Sequence, residues 1–200
     1  GVRVTGFETD PAARDAARAN ARRFGLQDRV SFETADPGQK LDIESVFDIV
    51  FFKSFLYHVP TLQAYQDWLG IFARALRPGG LLLAAENGRG GRLDRFYRKR
   101  IRRSRWSEFM LFDRTCLQDF KQCFSRVDVQ CFGRYSQFFS FAPGLCAGLQ
   151  ALEQRIRPPT SDQCFVAAIL AEKAGQREER GQRSEIRCAR QSLGGGEEMT

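Results

Sequence analysis

Val46 to Phe52, V-F-D-I-V-F-F, and Leu76 to Glu86, L-R-P-G-G-L-L-L-A-A-E, decide the fold. The first is a nearly continuous apolar run, the pattern of a strand buried on both faces. In the second, Pro78-Gly79-Gly80 reads as a turn that releases the chain into another buried strand, Leu81 to Glu86. Between them Leu62, Tyr65, Leu69, Phe72 and Leu76 recur at helical spacing and predict a helix. Upstream, Val2 to Phe7 alternates and ends at Gly6-Phe7-Glu8, a strand. Asp10-Pro11 supplies an N-cap and a first-turn proline, and Gly25 stops the helix that follows. Val30 to Thr34 is a second short strand. Strands alternating with helices of this length predict βαβ units and a largely parallel, Rossmann-like α/β sheet.

Beyond Glu86 the pattern changes. Asn87-Gly88-Arg89-Gly90-Gly91 reads as a flexible hinge. Leu93, Tyr97 and Ile101 form an i, i+4 stripe beneath arginines, an amphipathic basic helix. Arg114 to Phe124 is a further helix, and Val127 to Phe132 and Phe165 to Leu170 are strands, with an aromatic-rich segment from Tyr135 to Leu149 between them. From Ala174 onward hydrophobic residues thin out and a Gly-Gly-Gly run appears, which predicts a disordered tail over residues 174–200.

The chain has 200 residues, 42% of them hydrophobic and 28% charged, enough to bury a core and unlike a collagen, a mucin stalk or a disordered chain. No uninterrupted apolar run approaches the length of a membrane span. The net charge is +7, but it is local: Arg89 to Arg105 holds nine basic residues against one acid, Asp94. The remainder is close to neutral, which argues against a general nucleic-acid binder. Six cysteines stand singly and there is one histidine, so no zinc set is expected. Isolated thiols predict a reduced, cytoplasmic protein.

Several side chains sit where chemistry occurs in such a sheet. Ligands of open parallel sheets lie outside the carboxyl ends of the strands. Glu8 ends a strand there, and its carboxylate can accept from the two vicinal hydroxyls of a ribose, or serve only as a charge near a helix N-terminus. Asp36, after Ala35, can accept from an adenine amino group, or make a plain turn before Gly38. Lys53, Ser54, Tyr57 and His58 follow the F-D-I-V strand. Asp48 within that strand is expected to be structural, taking a backbone donor if buried.

The order of these motifs resembles the class I S-adenosylmethionine-dependent methyltransferases, especially the small-molecule branch called type 11. An acid closes strand two (Gly6-Phe7-Glu8), and a small residue and Asp follow strand three (Ala35-Asp36). F-D-hydrophobic-V fills strand four (Phe47 to Val50), an aromatic/His segment comes next (Tyr57-His58-Val59), and L-x-P-G-G precedes strand five (Leu76 to Gly80). The resemblance implies S-adenosylmethionine as cofactor, with Glu8 and Thr9 at the ribose and Ala35, Asp36 and Pro37 around the adenine. Lys53 and Ser54 would flank cofactor and substrate, and His58, or less directly Tyr57 or Glu86, would deprotonate the acceptor. It covers Val2 to Glu86 closely and reaches Lys173 loosely. Residues 1–173 are thus expected to be a partial methyltransferase domain with an antiparallel C-terminal strand, and residues 88–150 an inserted substrate cover. Trp106, Phe109, Phe112, Phe138 and Phe139 would offer an apolar pocket there, and Arg89 to Arg105 a peripheral contact with anionic lipid.

One departure is large. The family's glycine-rich turn after strand one, which cradles the methionine part of the cofactor, is missing ahead of Glu8. The family's strand one lies between strands two and four, so its absence predicts unpaired strand edges and weak or no cofactor binding by these residues. Other readings remain at this point: a NAD-type Rossmann oxidoreductase, a degenerate binding domain without cofactor, or an RNA methyltransferase that uses the basic run for phosphates. A small-molecule acceptor is favoured over nucleic acid. The acceptor atom and the oligomeric state are not specified by the sequence.

Overall fold

The computed structural model describes residues 1–34, 43–55, 58–92, 95–96, 111–133, 142–156 and 159–175. The chain divides into two units, Gly1–Asp42 and Ile43–Thr200. In the first, β1 (Val4–Glu8), α1 (Pro11–Arg23) and β2 (Val30–Thr34) form a βαβ unit with β1 and β2 parallel and in register from Val4↔Val30 to Glu8↔Thr34. The Asp10 carboxylate caps α1 by accepting from Ala12 N at 2.9 Å, with Pro11 in the first turn. At the other end Gly25 takes φ 65°, which a residue with a Cβ adopts at a cost, and Leu26 N donates to Ala21 O at 2.8 Å to close the last turn.

The second unit is a four-stranded mixed sheet in the order β3-β4-β6-β5. Its elements are β3 (Phe47–Lys53), α2 (Leu62–Ala75), β4 (Leu76–Asn87), α3 (Arg114–Cys123), β5 (Arg126–Phe132), α4 (Pro143–Ile156) and β6 (Val166–Glu172). β3 and β4 are parallel, while β6 runs antiparallel to both β4 and β5, as expected for the last strand. Among the described residues β1 pairs only with β2 and β3 only with β4.

The core occupies one face of this larger sheet. Leu82, Ala84, Ala167, Ile169 and Ala171 project from the strands against Tyr65 and Leu69 of α2 and Cys116 and Phe120 of α3, all buried. Thr61 caps α2 and Asp113 caps α3, each through its side-chain oxygen. Burying side chains such as Leu69, Leu82 and Phe120 contributes roughly 1.5–3 kcal/mol each.

Several expectations need correction. Val46 to Phe52 is not buried on both faces: Ile49 is 55% and Phe51 68% exposed. Phe51 stands in register with Leu83, and Leu83 with Leu170, so an apolar row crosses the sheet on the face opposite α2 and α3. Apolar composition cannot distinguish a strand covered on two sides from one covered on a single side. Pro78-Gly79-Gly80 is not a separate turn either. The strand begins at Leu76, directly after α2, and these residues form an irregularity where the register jumps from Phe47↔Leu76 to Ile49↔Leu81. Lys173 holds it, its backbone N–H donating to Gly80 O at 3.0 Å and its Nζ to Leu76 O at 2.7 Å.

The expected hinge is anchored. Gly88 N donates to Phe165 O, Arg89 N to Phe112 O and Gly90 N to Cys164 O, at 2.8, 3.0 and 3.0 Å. A helix the sequence reading missed, α4, occupies part of the aromatic-rich segment. The stripe Leu93, Tyr97, Ile101 and the tail after Gly175 lie outside the described residues. Among those described no helix is long and apolar enough to cross a membrane.

Two predictions follow from the packing. A Cβ at position 88 would collide with Cys164 O and stand 2.8 Å from Cys164 Sγ. Gly88→Ala should therefore destabilise the protein by roughly 2 kcal/mol or more in urea unfolding, because the obstacle is backbone. Burial, aided by the nearby Asp113 and Asp119 charges, raises the Cys116 thiol from 9.0 to about 12. Burial, then Cys116 and Asp119, also raises the Tyr65 phenol. Both groups are neutral when protonated, and the unfolded chain ionises first. Their contribution is complete below pH 9 and fades as the pH rises toward 12 for Cys116. Unfolding free energies from urea titrations should fall by about 1.4 kcal/mol per pH unit above pH 9 for Cys116 and with a similar added slope above pH 10 for Tyr65, and Cys116→Ala should remove the first share.

Candidate functional site

In the first unit the candidate is the carboxyl end of β1. Glu8 is half-buried there, and the turn into α1 folds its side chain back. Among the described residues its hydrogen bonds all fall on Oε1, which accepts from Thr9 N at 2.8 Å, Asp10 N at 3.1 Å and Thr9 Oγ1 at 3.4 Å. Oε1 thus takes up donors of the turn and fixes the rotamer, and a pre-positioned carboxylate at a strand end can receive hydroxyl donors of a ligand. Thr9, exposed, orients Glu8 through its own N–H and hydroxyl. Through Asp10 N, the N-cap residue of α1, Glu8 also stands beside a helix N-terminus. Ala35, Asp36 and Pro37 lie outside the described residues.

In the second unit the candidate is formed where β3 and β4 end together. Lys53 pairs in register with Ala85 and its side chain is exposed. Ser54 follows in a left-handed conformation, φ 53°, sparsely populated by residues with a Cβ and held here by its neighbours. Its N–H donates to Ala85 O at 2.8 Å, and its Oγ accepts from Asn87 Nδ2 at 3.2 Å. One residue on, Phe55 N donates to Glu86 Oε1 at 2.8 Å, and Glu86 is only 1% exposed. The Phe55 ring then packs on Trp68 and Phe72 of α2 with centroids 5.3 and 5.4 Å away. These contacts fix the chain direction after β3 and deliver His58, whose N–H donates to Phe55 O at 2.9 Å and whose side chain is exposed. Tyr57 lies outside the described residues.

The structure thus brings Lys53, Ser54 and His58 to one strand end. It adds Asn87, which the sequence reading missed and which only its place after a buried strand could have flagged. Glu86, weighed earlier as a base, instead receives the Phe55 N–H and shapes the turn. Asp48 is exposed and pairs with Arg77 Nη1 at 2.8 Å, so it takes a guanidinium and not the expected backbone donor. An exposed pair of this kind contributes little to stability. Phe112, expected to line a substrate pocket, is fully buried in the core, 6.2 Å from the Phe120 ring. Trp106, Phe109, Phe138 and Phe139 lie outside the described residues. No group of His, Cys, Asp and Glu able to hold a metal occurs among the described residues. Cys116, Cys131 and Cys164 are buried free thiols.

Residues 1–80 match the family model of a methyltransferase domain. No curated protein sequence matches the chain. Among solved structures, a possible exported protein from Bordetella parapertussis aligns at TM-score 0.60 and 16% identity over 88% of this chain. The chain spans 54% of that protein's length. A SAM-dependent methyltransferase from Methanosarcina mazei aligns at TM-score 0.55 and 18% identity, covering 87% of this chain and 83% of that one. The N-methyltransferase NodS from Bradyrhizobium japonicum, solved with S-adenosyl-l-homocysteine, aligns at TM-score 0.53 and 14% identity, covering 86% and 66%. Residues 1–80 thus resemble a methyltransferase domain, and the chain shares the fold of S-adenosylmethionine-dependent methyltransferases.

Proposed function

We propose that this chain carries the nucleoside-binding and acceptor-side parts of an enzyme that methylates a small molecule, with S-adenosylmethionine as donor. The observation that carries the reading is Glu8, a carboxylate fixed by its own turn at the end of a parallel strand. The residues present fit the nucleoside part of that cofactor. They do not include a glycine-rich turn ahead of β1 for the methionine part, so these 200 residues are proposed to hold it weakly and to turn over poorly or not at all.

The cofactor supplies, when bound, a methyl group already activated on a sulfonium. The protein's part is then chiefly alignment and water exclusion. Glu8 accepts from the ribose hydroxyls, with Thr9 keeping its carboxylate in place. Asp36, flanked by Ala35 and Pro37, reads the adenine amino group. Lys53 and Ser54 border the acceptor, and the left-handed turn at Ser54 sets where they face. His58, or Tyr57 beside it, receives the acceptor's proton. The acceptor is proposed to be a small, lipid-like or aromatic compound, and the protein to be cytoplasmic. The NAD reading differs at the same carboxylate, since an acid after strand two suits either ribose.

An NMR titration with S-adenosylhomocysteine separates these. The amides of Glu8, Thr9 and Asp10 should shift at millimolar ligand, and Glu8→Ala should weaken the response by roughly tenfold or more. Micromolar affinity by calorimetry would overturn the proposed weakness of these residues. Shifts with NAD and none with S-adenosylhomocysteine would replace the methyltransferase reading. In a chain given a first strand and glycine-rich turn ahead of Val2, His58→Gln should lower turnover by about a hundredfold with cofactor affinity unchanged. Release of S-adenosylhomocysteine across an acceptor screen measures this, and unaltered turnover removes His58 from the reaction.

A further inference from the structure

Helix α4 (Pro143–Ile156) has no buried residue. Successive helical residues turn by about 100°, which places Leu145, Leu149, Leu152 and Ile156 within roughly 60° of arc. Leu145, Leu152 and Ile156 are 51%, 50% and 73% exposed. The half-buried positions Cys146, Leu149, Gln150, Glu153 and Gln154 lie on the neighbouring arc, and Gln154 Nε2 donates to Cys131 O at 2.5 Å. The helix therefore turns a mixed arc of Cys146, Leu149 and three polar side chains inward. It leaves Leu145, Leu152, Ile156 and Arg155 exposed, an apolar stripe that an ordinary surface helix would turn inward.

A second feature sits at the same end of the sheet. Cys131 and Phe132 end β5, and Phe132 O accepts from Phe165 N. Phe165 O and Cys164 O in turn accept from Gly88 N and Gly90 N. The start of the basic run is thereby tied to the strand end that holds α4. Arg92 and Arg95 are exposed there, as is Phe96, 58% open to solvent. Arg89 is committed to Asp113 at 3.3 Å and adds little free charge.

Outward apolar side chains beside arginines match a surface that is greasy below and anionic above. We propose that this end of the molecule docks on anionic lipid bilayers, with the α4 stripe entering the headgroup boundary and Arg92 and Arg95 meeting phosphates. The charge favours lipid over a second copy of the chain, whose equally basic surface would repel it. Docking needs no cofactor, so its failure leaves the methyl-transfer reading untouched.

The test is co-sedimentation of the 200-residue chain with phosphatidylcholine vesicles, with and without a fifth of phosphatidylglycerol. Binding should appear only with the anionic lipid and fade with added salt. The triple variant Leu145→Ser, Leu152→Ser, Ile156→Ser and the double variant Arg92→Ala, Arg95→Ala should each weaken it by at least about tenfold, with circular dichroism unchanged. Should the triple variant lose helicity, Ile156→Trp replaces it: added emission must move to the blue on anionic vesicles. Equal binding to neutral vesicles, indifference to the triple variant, or an unmoved emission overturns the proposal. So does a vesicle-free dimer that the triple variant abolishes, which would give the face to a second copy.

Discussion

Among the described residues β4 and β6 are the strands with a hydrogen-bonded neighbour on both sides, and the candidate site hangs on β4. Its backbone must satisfy partners along both edges, parallel β3 on one and antiparallel β6 on the other. Its last residues do more. Ala85 O holds Ser54, the Glu86 carboxylate holds Phe55 and the Asn87 amide holds the Ser54 hydroxyl. The turn after β3 is therefore dictated by the strand beside it. A buried carboxylate at the end of an otherwise apolar strand is costly unless it is hydrogen-bonded, and the Phe55 N–H supplies such a bond.

The same requirement explains how much was legible in the sequence. Strand and helix positions followed from local rules that the structure obeys: Asp10-Pro11 and Gly25 bound α1, and the spacing of Tyr65 and Leu69 found the buried side of α2. What local rules could not supply was the neighbour. Ile49 and Phe51 read as doubly buried because they are apolar, yet burial depends on what packs above them. α4 escaped because aromatic richness upstream and two glycines masked its leucine spacing. The L-R-P-G-G segment reads as a turn because proline and glycine usually make one, whereas Leu76 already pairs with Phe47 of β3 and Lys173 of the chain beyond β6 holds Gly79 and Gly80.

The candidate residues fared unevenly for a related reason. Glu8 is picked out by its place at a strand end, which periodicity locates well, and its rotamer follows from the next two residues. Lys53, Ser54 and His58 are picked out in the same way, but the positive φ of Ser54 depends on contacts more than thirty positions away. Glu86 and Asn87 gain their meaning only from such distant contacts. Asp48 carries the lesson in reverse: its motif neighbours suggested an interior role, and a long arginine reached it at the surface instead.

The close approach at Gly88 ties two distant positions together as the sequence drifts. A variant with any side chain at 88 must first move the backbone at Cys164, and that carbonyl also receives the Gly90 N–H. Change at 88 is therefore open only to lineages that have already remodelled the entrance to β6. Among relatives, glycine at 88 should travel with an unaltered loop before β6 and disappear where that loop changes length.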